Sequence, residues 1–218
     1  MYLVNKEKIN QSLSAKIVDA RIAQVFNSFK NVLFTSSFGT TSAVLLHLVS
    51  RIKPNCPVYF IDTGYHFEET LAYKERMTRL LDLNVVELRP RPSEHLTTQN
   101  EQMWAQNPDK CCEINKVKPL EQVKGQYNVW MSGLIGFQSR NRDQLQIMDE
   151  KDEMIKFYPL IDWNGSLVEE YMIGHGLPEH PLKDEGFDSV GCTHCTVPGS
   201  GRKGRWSDIE KTECGLHH

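Results

Sequence analysis

Short apolar runs alternate with amphipathic stretches through the first half of the chain, and this alternation limits the fold more than any other feature. Asn31-Val32-Leu33-Phe34-Thr35, Pro57-Val58-Tyr59-Phe60-Ile61 and Asn84-Val85-Val86-Glu87-Leu88 read as strands, while 43–52 and 67–82 carry apolar residues at helical period. Strand, helix, strand, helix, strand is the pattern of a parallel sheet with helices packed on its faces. Asn128-Val129-Trp130-Met131-Ser132 predicts a fourth strand and Lys156-Phe157-Tyr158-Pro159-Leu160 a fifth. Residues 6–30 predict one or two amphipathic helices built on Ile17, Ile22, Val25, Phe26 and Phe29. Beyond about residue 187, glycine, lysine and arginine crowd the chain and no apolar period survives. That stretch is expected to be a tail with little core of its own, ordered by a bound group or substrate.

The 218 residues suffice for one sizeable domain with a real core, and 39% hydrophobic with 24% charged residues is ordinary for a globular protein. A formal net charge of -3 gives no global basic field, so nucleic acid is not an expected partner. No apolar run approaches the roughly 20 residues that span a bilayer, and residues 1–20 do not read as a signal peptide. The expected compartment is the cytoplasm, where thiols stay reduced. The oligomeric state is left open, a homo-oligomer included.

In an open parallel sheet, ligands sit beyond the carboxyl ends of the strands. Ser36-Ser37-Phe38-Gly39-Thr40-Thr41-Ser42 occupies that place after the first strand, and small hydroxyl residues with one glycine let backbone N–H groups approach an anion at a helix N-terminus. The same composition also serves a plain turn with a helix cap. It is not a Walker loop, because no lysine follows the glycine in the required spacing. Asp62-Thr63-Gly64 is a candidate second edge of the same pocket, or a capped turn.

Five of the six cysteines carry chemical information. Cys111 and Cys112 are adjacent; Cys192 and Cys195 form a C-x-x-C pair separated from them by 79 residues; 18 residues lie between Cys195 and Cys214. C-x-x-C alone suits a redox dithiol, half a zinc site or half an iron–sulfur site. Adjacent thiolates strain to reach one tetrahedral ion, whereas a [4Fe–4S] cube offers one iron to each thiolate, so the spacing favours a cluster over zinc, with unrelated thiols the third reading. Cys56 reads as a packing cysteine. Arg202 and Arg205, in Gly201-Arg202-Lys203-Gly204-Arg205-Trp206, can fork onto phosphate or sulfate oxygens, and Lys116 and Arg142 can join them; a solvated basic loop is the plainer alternative. Cys214 sits in a hydrophilic tail near His217 and His218, a setting that predicts exposure and reactivity.

Taken in order, these pieces resemble the assimilatory sulfonucleotide reductases, the adenylyl-sulfate (APS) and phosphoadenylyl-sulfate (PAPS) reductases, over roughly residues 30–218. The pieces are Ser36-Ser37-Phe38-Gly39, Asp62-Thr63-Gly64-Tyr65, Cys111-Cys112 with Lys116, Gln138-Ser139 with Arg142, Gly191-Cys192-Thr193-His194-Cys195, Arg202 to Trp206 and Glu213-Cys214-Gly215-Leu216-His217. The resemblance implies an α/β fold: a Rossmann-like parallel sheet of the adenine nucleotide alpha hydrolase (PP-loop) type with helices on both faces and a C-terminal catalytic tail. It implies a nucleotide-binding domain over 1–190, carrying the Cys-Cys ligands, and a catalytic segment over 191–218. Cys111, Cys112, Cys192 and Cys195 would hold a [4Fe–4S] cluster. Ser36, Ser37, Phe38, Gly39, Asp62, Thr63, Gly64, Lys116, Arg142, Arg202, Arg205 and His217 would bind substrate, and Cys214 would attack the sulfuryl sulfur. An S-sulfocysteine would form and AMP would leave; thioredoxin or glutaredoxin would then release sulfite.

The cysteine set points to APS. Thr40-Thr41-Ser42, Asn115 and Ile135-Gly136-Phe137 resemble less closely what cluster-bearing members carry, which keeps a PAPS-preferring or dual-specificity reductase as the alternative. More remote are a zinc-stapled nucleotide-binding module and an ATP pyrophosphatase. The latter needs an Asp for Mg²⁺ where Thr41 stands.

Overall fold

The structure is a computed structural model that describes residues 5–207, 211 and 213–216. Helices α1 (Lys6–Ser14) and α2 (Val18–Ser28) lead into strand β1 (Val32–Thr35), followed by α3 (Ser42–Ile52), β2 (Pro57–Ile61), α4 (Glu68–Leu81) and β3 (Asn84–Leu88). A helical stretch then runs through α5 (Pro92–Asn100), α6 (Met103–Gln106), α7 (Pro108–Cys112) and, after a π-helical turn at Glu113–Val117, α8 (Lys118–Lys124). Strand β4 (Val129–Ser132), α9 (Arg140–Asp143), β5 (Met148–Lys151), β6 (Met154–Phe157) and α10 (Gly165–Gly174) complete the regular elements.

Six strands form one sheet in the order β3-β2-β1-β4-β6-β5. Every pairing is parallel except that of β5 with β6. The side-chain period of two sorts the strands onto two buried faces. Val32, Phe34, Val58 and Phe60 join Ile22, Leu46 and Met77 in the main core, whereas Leu33, Tyr59, Ile61 and Trp130 pack with Leu120 and Val123 of α8. Helices therefore cover both faces, as the sequence predicts. From β1 the chain steps outward through β2 and β3, then returns to place β4 on the other side of β1. That reversal opens a crevice beyond the carboxyl ends of β1 and β4, where a doubly wound sheet takes its ligand.

The expected strand at 156–160 instead ends at Phe157 and is the second arm of a hairpin. Its turn, Asp152-Glu153, has φ of 51° and 59° at both positions. A two-residue hairpin turn of this kind normally advertises itself with Asn-Gly or Asp-Gly; without the glycine the pattern carries no hairpin signal. Ile17, expected on the buried helix face, is 75% exposed, because it stands at the N-cap of α2 rather than inside it. The stretch after 187 also departs from expectation. Leu182, Phe187 and Val190 form a small apolar cluster with Phe67, and Trp206 is buried. Bridges Phe187–Gly199, Thr196–Arg205 and His66–Cys192 tie the segment to itself and to the turn after β2. It is thus packed by its own chain, and Gly199 and Gly204 permit the close backbone approach: a Cβ at Gly204 would lie 2.0 Å from the Val197 carbonyl oxygen.

Candidate active site

Beyond the crevice lies a cavity of about 200 Å³ of free space. Its floor is the loop after β1. Phe38 takes φ of 50°, a costly region for a bulky residue, and drives its ring into the core edge-on to Phe60 at 5.6 Å. Burial of that ring sets the turn, and Ser36, Ser37 and Gly39 are left facing the cavity. Phe38 was expected among the substrate-binding residues; its side chain is instead the anchor of the loop, fully buried in the main core.

The other predicted residues divide in the same way. Thr63, Lys116, Arg142, Arg202, Arg205, Cys192 and Cys214 all line the cavity, so segments far apart in sequence converge there. Asp62 and Gly64 do not. The Asp62 carboxylate accepts from Gly64 N at 3.0 Å and pairs with Arg89 at 3.0 Å, and Gly64, with φ of 72°, lets the His95 ring lie where a Cβ would be, 2.6 Å away. Both shape the turn that presents Thr63. His217 lies outside the described residues. Cys214, expected to be exposed, is half-buried at the cavity wall.

The sulfurs meet in one region. On a helix, consecutive side chains diverge by about 100°, so the two thiols at the end of α7 face different ways. Cys111 packs with Tyr65 and Cys192, while Cys112 lies within electrostatic reach of Lys116 and Cys214. Thr193 N donates to Tyr65 O at 2.8 Å, which docks the C-x-x-C segment onto the turn after β2. A stacked pair, Trp104 on His194 with centroids 3.9 Å apart, packs against Tyr65 beside the thiols. Burial pushes the Cys111 thiol up to about 11 and Cys112 to about 12. Burial would also raise Cys192, but Lys116, a hydrogen bond from Thr63 and Arg205 override it and favour the thiolate. Thr63 Oγ1 lies 3.5 Å from Cys192 Sγ, and the Asn115 amide donates to the Cys111 carbonyl at 2.9 Å with its Sγ at 3.6 Å. Among the described residues no group of three His, Cys, Asp or Glu side chains is placed to hold a single metal ion. The donor set nonetheless suits a cluster. Cys111, Cys192 and Cys195 share one apolar cluster and Cys112 lies beside it, toward Lys116 and Cys214, with hydrogen-bond donors aimed at two of the sulfurs.

Cations dominate the wall opposite the serine loop. The π-helical turn after Cys112 inserts an extra residue into the helical path and buries Lys116, a local irregularity that favours functional placement. Burial would discharge Lys116, but Cys192, Cys214 and Cys112 reverse this and raise its affinity for a proton. Arg205 donates to the Val190 carbonyl at 3.2 Å and lies over the Trp206 ring at 4.5 Å. Gly191 leaves room for Arg205, because a Cβ there would meet the guanidinium at 2.2 Å and push it aside. Burial and the neighbouring Arg142 lower Arg202 to about 10.

Sequence reasoning missed several lining residues. Ser132 sits at the carboxyl end of β4, a position its strand pattern could have flagged, and His66 follows the Asp62–Gly64 turn. Glu213 pairs with Arg142 at 2.7 Å and Arg202 at 3.0 Å; nothing but its place beside Cys214 hinted at this. Among the described residues, the buried atoms Ser132 Oγ, His66 Nδ1 and Arg205 Nε have no hydrogen-bond partner. Unpaired buried polar atoms are costly in a finished structure, and three on residues lining one cavity indicate a polar ligand.

Residues 31–198 match the family of the phosphoadenosine phosphosulfate reductase domain. An adenosine 5'-phosphosulfate reductase of Bacillus cytotoxicus is 40% identical over 85% of this chain and 83% of its own length. That of Halalkalibacterium halodurans is 37% identical over 98% and 97%. Among solved structures, phosphoadenylyl-sulfate reductase from Candida auris, a phosphate complex, superposes with a TM-score of 0.80 at 23% identity, over 90% of this chain and 99% of that one. FMN adenylyltransferase from Candida glabrata superposes at 0.60 and 16% identity, over 91% and 68%, which speaks to the fold alone. Sheet, cavity and cysteine order lead to the same place as these matches: the chain belongs to the phosphoadenosine phosphosulfate reductase domain family.

Proposed function

We propose that this protein is an oxidoreductase of assimilatory sulfate reduction and cysteine biosynthesis. It reduces adenylyl sulfate to sulfite and AMP, with thioredoxin or glutaredoxin as the electron donor. The observation that carries the reading is the placement of Cys214 on a cavity shared by the serine loop, Lys116, Arg142, Arg202 and Arg205, with unpaired polar atoms beside them.

The Cys214 thiolate attacks the sulfuryl sulfur in line with the S–O bond to phosphate. An S–S bond forms, the S–O bond breaks, and AMP departs with the electron pair, which leaves a cysteine-bound sulfonate. This is covalent catalysis, one hard step divided into two. A thiolate of the reductant then attacks Cys214 Sγ and sulfite leaves; the second reductant thiol resolves the mixed disulfide and returns the Cys214 thiolate. Lys116 and the arginines hold the phosphosulfate and stabilise the charge that develops on the leaving phosphate. Amide groups of the serine loop, at the start of α3, complete the anion seat. The fold places Thr41, a hydroxyl rather than a carboxylate, on the loop, and Cys214 would be idle in a pyrophosphatase.

Cys111, Cys112, Cys192 and Cys195 would hold a [4Fe–4S] cluster. When bound, it would join two distant segments and set the electrostatics beside Lys116. The division into a nucleotide-binding part, 1–190, and a catalytic segment, 191–218, follows from these roles. Among the described residues no helix is long and apolar enough to cross a membrane; we assign the enzyme to the cytoplasm on the chemistry of its reduced thiols.

The test is sulfite release by anaerobically purified protein with thioredoxin, comparing APS and PAPS at equal concentration. Turnover of APS is expected. Preferential turnover of PAPS would reverse the substrate assignment, and no turnover of either by cluster-loaded protein would overturn the reading.

A further inference from the structure

One buried charged group has no task in this chemistry. Glu213 is only 8% exposed. Its Oε1 accepts from Arg142 Nε at 2.7 Å, and its Oε2 accepts from Arg142 Nη2 and from Arg202 Nη2, each at 3.0 Å. Ser139 Oγ lies 3.4 Å from Oε1, and Arg205 is the next cation. Burial would raise the Glu213 carboxyl, but Arg142, Arg202 and Arg205 reverse this and hold it below the usual carboxylate range. Arg142 grips the carboxylate with two N–H groups and Arg202 adds a third, the same charge-assisted donors with which arginines bind phosphate and sulfate oxygens. Here the anion belongs to the residue preceding Cys214. Arg142 also donates to Gln138 Oε1 at 2.5 Å, so three of its five N–H groups are committed. An N–H held by Glu213 cannot be given to a ligand at the same time.

We propose that Glu213 is an internal counter-anion that competes with the phosphosulfate oxygens of the substrate for Arg142 and Arg202. The proposal rests on the reading that the cavity takes a sulfonucleotide. In the empty cavity Glu213 balances a cluster of cations that would otherwise repel one another. On binding it yields N–H groups to the ligand, and its return as the sulfuryl group transfers to Cys214 helps to expel AMP. Substrate affinity is thereby reduced in exchange for faster product release.

The experiment is an equilibrium titration of AMP into wild-type protein, Glu213→Gln and Glu213→Asp, with KM and kcat for APS measured alongside. The Gln variant keeps the shape and loses the charge. It is expected to bind AMP about three- to tenfold tighter, with KM for APS lowered in step and kcat unchanged or reduced as AMP leaves more slowly. The Asp variant is too short to span both arginines and should fall between the two; it carries the test if the Gln variant does not fold. AMP binding equal to or weaker than wild type in a folded variant would overturn the proposal and make Glu213 a structural anchor of the tail. Wild-type protein that binds neither AMP nor APS would instead overturn the functional reading, and this inference with it.

Discussion

The two walls of the cavity are held in different ways. Loop 36–41 stands on Phe38 and on α3, where Ala43, Val44, Leu46 and Leu48 are each fully buried. A fully buried side chain of this size contributes about 1.5–3 kcal/mol, so that wall is as rigid as the sheet beneath it. The facing wall, from Phe187 to Trp206 with Glu213 and Cys214, puts only Phe187 and Val190 into a small apolar cluster, with Leu182 just ahead of it. Arginine pairs and isolated bridges hold the rest. One wall is set by the hydrophobic effect and presents Ser36, Ser37 and Gly39. The other is set by polar contacts that a ligand or cluster can exchange. A reaction whose nucleophile must meet first a substrate and then a reductant needs that second kind of wall.

The sharpest way to break the comparison is to disable the second wall chemically while leaving the first intact. Cys214→Ser should reduce sulfite formation by at least about a thousandfold and leave AMP binding and thermal unfolding unchanged. Activity within tenfold of wild type would remove Cys214 from its role.

Core damage should act the other way. Leu46→Ala is expected to cost about 2–5 kcal/mol in denaturant unfolding, whereas Phe187→Ala should leave the midpoint of the sheet nearly unchanged and increase proteolysis within 187–207. Equal losses from the two would show that both walls unfold as one unit. With the proposed cluster in place, chelation of its iron would resemble the Phe187 change, opening the cysteine-bearing wall to protease with little effect on the sheet.

A pH titration sharpens the boundary between the two regions. His180 is fully buried; its Nδ1 accepts from Leu182 N at 3.3 Å, and its Nε2 lies 3.1 Å from Thr70 Oγ1. Burial lowers it to about 4 from an ordinary value of 6.5. Between these values the unfolded chain binds a proton that the folded one refuses. Stability is therefore complete above about pH 6.5 and falls as the pH drops toward 4, by up to about 3 kcal/mol. Acid unfolding should begin where the segment around 180 meets α4. A wild-type-like acid profile in His180→Gln would remove His180 from that account. The smallest expected change is Gly191→Ala, which should push Arg205 aside and lower kcat/KM for APS about tenfold, through kcat as well as KM.

The sequence alone was sufficient for what depends on local period and composition. The β-α-β-α-β alternation and the place of the serine loop beyond the carboxyl end of the first strand were legible, because each is a short-range pattern with a direct physical cause. Three things were decided only by the tertiary structure. Phe38 turned from ligand contact to anchor, since burial of a ring depends on what packs around it. Asp62 and Gly64 turned from contacts to turn-makers, since Arg89 and His95 reach them from outside the pattern. Glu213 met Arg142 across 71 residues of sequence, and no periodicity encodes an ion pair between a tail and a helix that the sheet reversal brings together.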